Sequence, residues 1–390
     1  MIARKEKNRC SGCSACYAVC PKNCISMKAD KEGFLYPEVD ETKCIHCNKC
    51  KAVCPFENLT SDEIVIPTAW GANANDEKLR LVSSSGGVFS LLAKYTLNVG
   101  GTVCGSAMSD DCKYAHHVFA DDESQLAKLR GSKYLQSFVE DTYKQTKEKL
   151  EKGTAVLYLG TPCQIAGLKA FLSKEYTNLL CVGIFCHGAP SPALWSEYVE
   201  YCNEKLGAPI ANVQFRNKDK GWNKFGLRME TETGVVQNKI AQKDPYMRMF
   251  LRNFSLRPSC YQCTAKNNAC NADLMIGDFW GVQSIVEELY DNAGTSVIFA
   301  YSEKGKRVID EIKNEMKIYE IQYEDAVMHN SAYTRSVPMP EIREKFFEDF
   351  GDVDFASLEK KYVPISTKEH IKMFLEKIHL LEITCKILGK

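Results

Sequence analysis

The sequence has no run of eighteen apolar residues, roughly the length a helix needs to cross a bilayer. Its opening stretch, MIARKEKNRC, leads into cysteines rather than into an apolar leader. A soluble, cytoplasmic protein without a transmembrane segment is expected. An excess of either charge sign is also missing, since 50 Lys+Arg stand against 50 Asp+Glu in 390 residues. The broad positive field of a nucleic-acid binder is therefore absent, and no nucleic-acid partner is expected. No G-x-G-x-x-G follows a strand-like run and no G-x-x-x-x-G-K-[ST] occurs, so a standard Rossmann nicotinamide site and a P-loop are both unsupported. The seven histidines are scattered and indicate no catalytic triad. His117 and His187 could serve as proton donors beside an organic cofactor, although hydrogen-bonded structural roles are commoner for such residues.

Cysteine, by contrast, is abundant: there are 19, nine of them within residues 10–54. In a long chain without an export signal this does not read as a disulfide scaffold. Residues 10–21, CSGCSACYAVCP, and 44–55, CIHCNKCKAVCP, repeat one Cys-x2-Cys-x2-Cys-x3-Cys-Pro pattern. Three closely spaced cysteines let one loop wrap three corners of a cubane cluster, and the fourth, before Pro, serves the other cluster. One cluster is expected on Cys10, Cys13, Cys16 and Cys54, the second on Cys44, Cys47, Cys50 and Cys20. Zinc is the main metal alternative, but its sites normally use longer inner spacings. His46 is not needed as a ligand, and Cys24, outside the repeat, reads as a small buried hydrophobe. The block resembles a bacterial-type two-cluster ferredoxin over residues 8–58, folded around its metal. FLYPEVD at 34–40 looks like a hairpin strand. Residues 1–58 are thus expected to form a ferredoxin-like domain, with 59–80 a polar linker.

From residue 81 to 350, short apolar runs alternate with helical periodicity, the pattern of an α/β or α+β domain. AVLYL at 155–159 and LLCVGIF at 179–185 read as buried parallel strands, the first followed by GTPC and the second by CHGAPS. Ser191 and Pro192 should begin a helix. Cys163 and Cys186 would then sit just past two strand ends, at the edge where open α/β sheets bind ligands. RPSCYQC adds Cys260 and Cys263. Alone, that pair suits a redox dithiol, half a zinc site, half an iron–sulfur site or core packing. Cys163 and Cys186 would complete a four-thiolate set if the fold brings them together. Cys181 and Cys202 read as core, and Cys270 remains a competitor on a polar, loop-like segment. LVSSSGGVFSLLAKYTL at 81–97 offers backbone N–H groups before an amphipathic helix. RGSKYLQS at 130–137 gathers Arg130, Lys133 and Tyr134, suited to an anion and a stacked ring, or to an exposed charged turn.

Six ordered motifs, SSSGGVFSLL, RGSKYLQS, GTPCQIAGL, VGIFCHG, RPSCYQC and ADLMIGDFWG, resemble the family of coenzyme F420 hydrogenase/dehydrogenase beta subunits across roughly residues 68–350. The resemblance implies an oxidoreductase with FAD and a third [4Fe-4S] cluster in the central domain. It implies Cys163, Cys186, Cys260 and Cys263 as the cluster ligands, Ser85, Gly86, Gly87, Lys133 and Tyr134 around the flavin, and Thr161 and Pro162 in the turn between the two. Asp278 and Trp280 receive a structural or pocket-lining role. The implied activity is electron movement between a hydride partner, with coenzyme F420 a candidate, and one-electron carriers such as ferredoxin or a redox partner protein. Two other readings stand beside it: a ferredoxin-dependent reductase of an organic substrate, and an electron-transfer subunit without flavin. A C-terminal helical extension, 351–390, carries Ile371, Phe374, Leu375, Ile378 and Leu381 on one helix face and reads as a docking helix, with partner or membrane-surface binding as the alternative.

Overall fold

The computed structural model describes Ile2 and residues 6–59 and 65–365. Its strands, in chain order, are β1 (Ile25–Ala29), β2 (Leu35–Val39), β3 (Thr68–Ala74), β4 (Thr102–Met108), β5 (Ala115–Ala120), β6 (Ser137–Phe138) and β7 (Val156–Gly160). There follow β8 (Leu179–Ile184), β9 (Ile210–Asn217), β10 (Gly226–Thr231), β11 (Val236–Ile240), β12 (Leu274–Asp278), β13 (Ser296–Ala300) and β14 (Met316–Ile321). Nine of these form one mixed sheet in the order β14-β3-β13-β12-β8-β7-β4-β5-β6. Its middle, β4-β7-β8-β12, is parallel. Antiparallel β13, β3 and β14 extend one side.

Side-chain alternation makes this sheet the partition between two cores. Val156, Tyr158, Leu179, Cys181, Val297 and Phe299 pack on one face, while Leu157, Leu180, Val182, Ile298 and Ala300 pack on the other. Both expected parallel strands are present, and each is buried on both sides because helices cover the sheet. A second sheet, β11-β10-β9, is antiparallel. Its core takes Trp195, Tyr198, Val199 and Cys202 from one stripe of helix Pro192–Leu206, together with Phe215, Leu227 and Met229. Ser191 caps that helix by accepting from Leu194 N, with Pro192 at its first position, as expected.

Two expectations change. Residues 59–80 are not a simple polar linker, because Thr68–Ala74 is a full strand paired on both sides, with β13 and β14. Small residues conceal it: Ala69, Ala72 and Ala74 are buried without forming a long apolar run. The extension 351–390 is also not wholly separate. Helix Phe355–Tyr362 adds Phe355, Leu358 and Tyr362 to the core under the small sheet. The proposed amphipathic helix and Cys385 lie outside the described residues. Among the described residues, no helix is long and apolar enough to cross a membrane.

The N-terminal unit is built on the β1–β2 hairpin, in which Ile25 faces Val39 and Ala29 faces Leu35. It is clamped to the rest of the chain. Gly33, at φ +81, lets the hairpin turn approach helix Pro192–Leu206 so closely that a Cβ would stand 2.4 Å from Ala193 N. Ser191 Oγ donates to the carbonyl of Glu32, whose carboxylate pairs with Arg343 at 2.6 Å. Both members of this ion pair are buried.

Candidate functional site

Strands β7, β8 and β12 run parallel, so their carboxyl ends meet at one edge of the sheet. After β7, Thr161 and Gln164 form a reciprocal capping box, Pro162 takes the first helical turn, and Cys163 follows it. After β8 come Cys186 and His187, and after β12 come Phe279 and Trp280. A cavity of about 570 Å³ lies here, within the range of sites that enclose cofactors.

Ser85, Gly87, Lys133, Tyr134, Thr161 and Pro162 all line this cavity. Gly86 is not among its lining residues. A Cβ there would stand 2.3 Å from Ala72 O, and its N–H donates to Ser296 Oγ at 2.9 Å, so this glycine packs the turn onto the sheet. The two proposed cofactor segments meet where Ser132 N donates to Ser84 Oγ at 2.7 Å. The RGSKYLQS segment is therefore a wall of the cavity rather than a free charged turn.

The cavity wall is cationic on one side. Lys133 Nζ donates to the carbonyls of Lys128 and Arg130, and burial pushes its pKa down to about 7. Tyr134 stacks on Phe250 with ring centroids 5.0 Å apart, and its hydroxyl accepts from Arg216 at 3.3 Å. Arg216 pairs with Asp278 at 3.0 Å and lies over the Phe225 ring. Its Nε is buried without a partner. Asp278 also accepts from Trp222 Nε1, and Trp222 stacks on Trp280 at 4.5 Å. Asp278 and Trp280 are thus the support of a buried arginine. Arg216 itself was missed, because nothing local in QFRN marks a residue whose partners lie on distant strands.

The two histidines are held within the scaffold. His117 bridges Ser137 Oγ and the Leu159 carbonyl, and burial lowers its pKa to about 4, leaving it neutral. His187 contacts Asn253 Oδ1, and burial lowers its pKa as well.

Cys163, Cys186, Cys260 and Cys263 all face this same cavity. Burial raises the pKa of the first three thiols, and repulsion within the group adds to the shift. Ala189 N donates to Cys260 Sγ at 3.3 Å, and Thr161 Oγ1 lies 3.2 Å from Cys163 Sγ. Lys266 Nζ donates to the Cys186 carbonyl at 2.6 Å. Cys270 is near Cys163 but does not line the cavity; it is buried with its thiol 3.3 Å from Asn268 Oδ1, and Cys181 and Cys202 are core residues.

In the N-terminal unit, Cys10 and Cys54 lie close enough to Cys13 and Cys16 to raise the pKa of those two thiols. The Cys13 thiol is pushed up to about 12, mainly by burial. Cys163 contributes to that shift, so this group adjoins the cavity group. Helix Pro162–Leu172 closes the distance: a Cβ on Gly167 would stand 3.0 Å from Cys13 Sγ. Cys20, Cys44, Cys47 and Cys50 surround a second, small hollow. Cys24 also lines it, with its sulfur 3.3 Å from Cys20 Sγ. It is buried, as expected, and although it lies outside the repeat it touches a member of the second cysteine set. Among the described residues, no three His, Cys, Asp or Glu side chains converge on a point that would hold a single metal ion. Three sets of four thiols supply the donor chemistry that cubane clusters take.

Residues 153–326 match the family model for the C-terminal part of the coenzyme F420 hydrogenase/dehydrogenase beta subunit, and residues 9–58 match the model for a 4Fe-4S dicluster domain. Over those two stretches the chain is similar to F420 hydrogenase/dehydrogenase beta subunits and to iron–sulfur dicluster proteins. A curated relative, a subunit of the F(420)H(2) dehydrogenase of Methanosarcina mazei, is 23% identical over 328 residues, covering 80% of this chain and 84% of the relative. A solved structure, the F420-reducing [NiFe] hydrogenase complex from Methanosarcina barkeri, contains a chain 18% identical, with a TM-score of 0.46. The match covers 77% of this chain and 95% of that one.

Proposed function

We propose that the protein moves electrons between a two-electron hydride partner and one-electron carriers, with FAD in the cavity and three [4Fe-4S] clusters on the three cysteine sets. The carrying observation is the meeting of four cysteines with the Ser85–Lys133–Tyr134 wall in one cavity at the carboxyl edge. A flavin bound there would exchange hydride with an organic partner and single electrons with clusters, which is why the two kinds of site belong side by side. Lys133, Arg130 and Arg216 supply positive charge toward the phosphates of a dinucleotide or of coenzyme F420. Tyr134, fixed between Phe250 and Phe215, offers an aromatic edge. Thr161 and Gln164 hold the turn that carries Cys163. No side chain is assigned a bond-making role. Cys10, Cys13, Cys16 and Cys54 hold the cluster nearest the cavity, and Cys20, Cys44, Cys47 and Cys50 hold the outer one.

Anaerobic purification with iron, acid-labile sulfide and flavin counted per chain tests this directly. The expected result is about twelve irons from three four-iron clusters and one FAD. About eight irons would remove the central cluster, and protein free of flavin would sink the hydride reading. Bleaching of the flavin band by reduced coenzyme F420 would identify that partner.

A further inference from the structure

We infer that the surface around Cys44–Lys51 is the docking face for a small acidic one-electron carrier protein. The inference rests on the electron-transfer reading above. The four cavity cysteines are half-buried, and the inner cysteine set is buried, with Cys13 against helix Pro162–Leu172. The outer set differs, because Cys47 is exposed. Ile45 near it is 55% exposed and lines the same hollow. Lys22 and Lys49 line the rim of the hollow, and Lys51 follows on the same short helix. All three lysines are exposed, and none has an ion-pair partner among the described residues. Lys43 is paired with Asp40 at 2.9 Å, and the acids nearby are Glu41 and Glu57, the latter next to Asn58, whose side chain donates to the Lys51 carbonyl. The face is thus cationic with an apolar centre, on a chain whose total charge is zero. Fixed positive charge around a contact steers an acidic partner and orients it, while the apolar centre excludes water at the point of closest approach.

The test uses the full chain, purified anaerobically, and a small two-cluster ferredoxin of strongly acidic composition as probe. Binding is followed by calorimetry at low and high salt. The expected result is salt-sensitive binding that weakens by at least about tenfold when Lys22, Lys49 and Lys51 are all changed to Glu, as three rim charges together would give. Iron content and cluster spectra should match the parent protein, and electron delivery to a small neutral dye should be unchanged. An Ile45→Ser variant should weaken binding without altering its salt dependence. Full iron content with no binding, or with binding indifferent to the lysine reversals, overturns the docking face alone. Self-association through the same lysines, seen by sedimentation, also overturns it. Absence of clusters from the native protein would overturn the electron-transfer reading and this inference with it.

Discussion

Arg257 is 1% exposed, yet no carboxylate pairs with it among the described residues. Its guanidinium instead donates to the carbonyls of Cys10 and Leu35 and to Gln136 Oε1, all at 2.7–2.8 Å, and lies 4.3 Å from the Tyr36 ring centroid. Gln136 in turn donates to Ser11 O. The loop carrying Cys10 and Cys13 is thereby tied to the segment carrying Cys260. A buried cation held only by neutral acceptors is costly unless negative charge stands nearby, and in the proposed function cluster-bound thiolates would provide it. Arg257→Met should destabilise the folded protein by roughly 3 kcal/mol in urea unfolding and shift the nearest cluster potentials to more negative values in a redox titration followed by paramagnetic resonance. Unchanged potentials would show that the arginine only holds the loop. Lys should rescue poorly, since a point charge cannot reproduce the fork.

Lys133 allows a pH prediction at the same scale. Its pKa is depressed to about 7, so the ammonium form is lost as pH rises through that value. An anionic ligand binds the protonated form better. FAD affinity, read from fluorescence quenching, should therefore fall between about pH 6 and pH 8 by up to tenfold per unit above the pKa. Lys133→Arg should flatten the profile, because arginine stays charged throughout. A flat profile in the parent protein would remove Lys133 from the phosphate site.

At the level of elements, the turn after β7 and the loop after β8 each bring a cysteine to the cavity, so the two strand ends have the same job. Cys163→Ser should lower bound iron by about four atoms per chain while the two N-terminal clusters keep their spectra. Loss of all iron would mean that the central group supports the whole fold. These strand-end cysteines were legible in the sequence because a buried parallel strand, its Gly-rich or Thr-Pro end and the following helix cap are all local signals. The N-terminal sets were legible for the same reason, since ligand loops depend on short spacings. Cys24 could be read as buried but not as touching Cys20, because that contact depends on how the hairpin folds back. Arg216, Arg257 and the Glu32–Arg343 pair were illegible, since their partners lie dozens to hundreds of residues away. Strand β3 was missed because alanines satisfy the sheet without announcing an apolar period.

Across the whole molecule, the N-terminal unit is a fixed part of the cavity wall, to which Ser11, Pro55 and Phe56 contribute. Its outer clamp is the buried Glu32–Arg343 pair, joining the hairpin turn to helix Ile342–Asp349. Glu32→Ala leaves Arg343 without its counter-charge and should cost about 3 to 5 kcal/mol in chemical unfolding. It should also speed proteolytic cleavage near the turn. If removing Glu32 leaves both measures unchanged, the clamp is not what holds the two parts together.

The placement of β3 bears on how such a chain could be cut or recombined. Removing everything before residue 81 takes away not only the iron-carrying unit but a strand flanked on both sides, by β13 and β14. The remainder would expose two raw strand edges, the kind of surface on which chains pair and aggregate. A cut near residue 65 would leave the sheet whole, although it would still strip Ser11, Pro55 and Phe56 from the cavity wall.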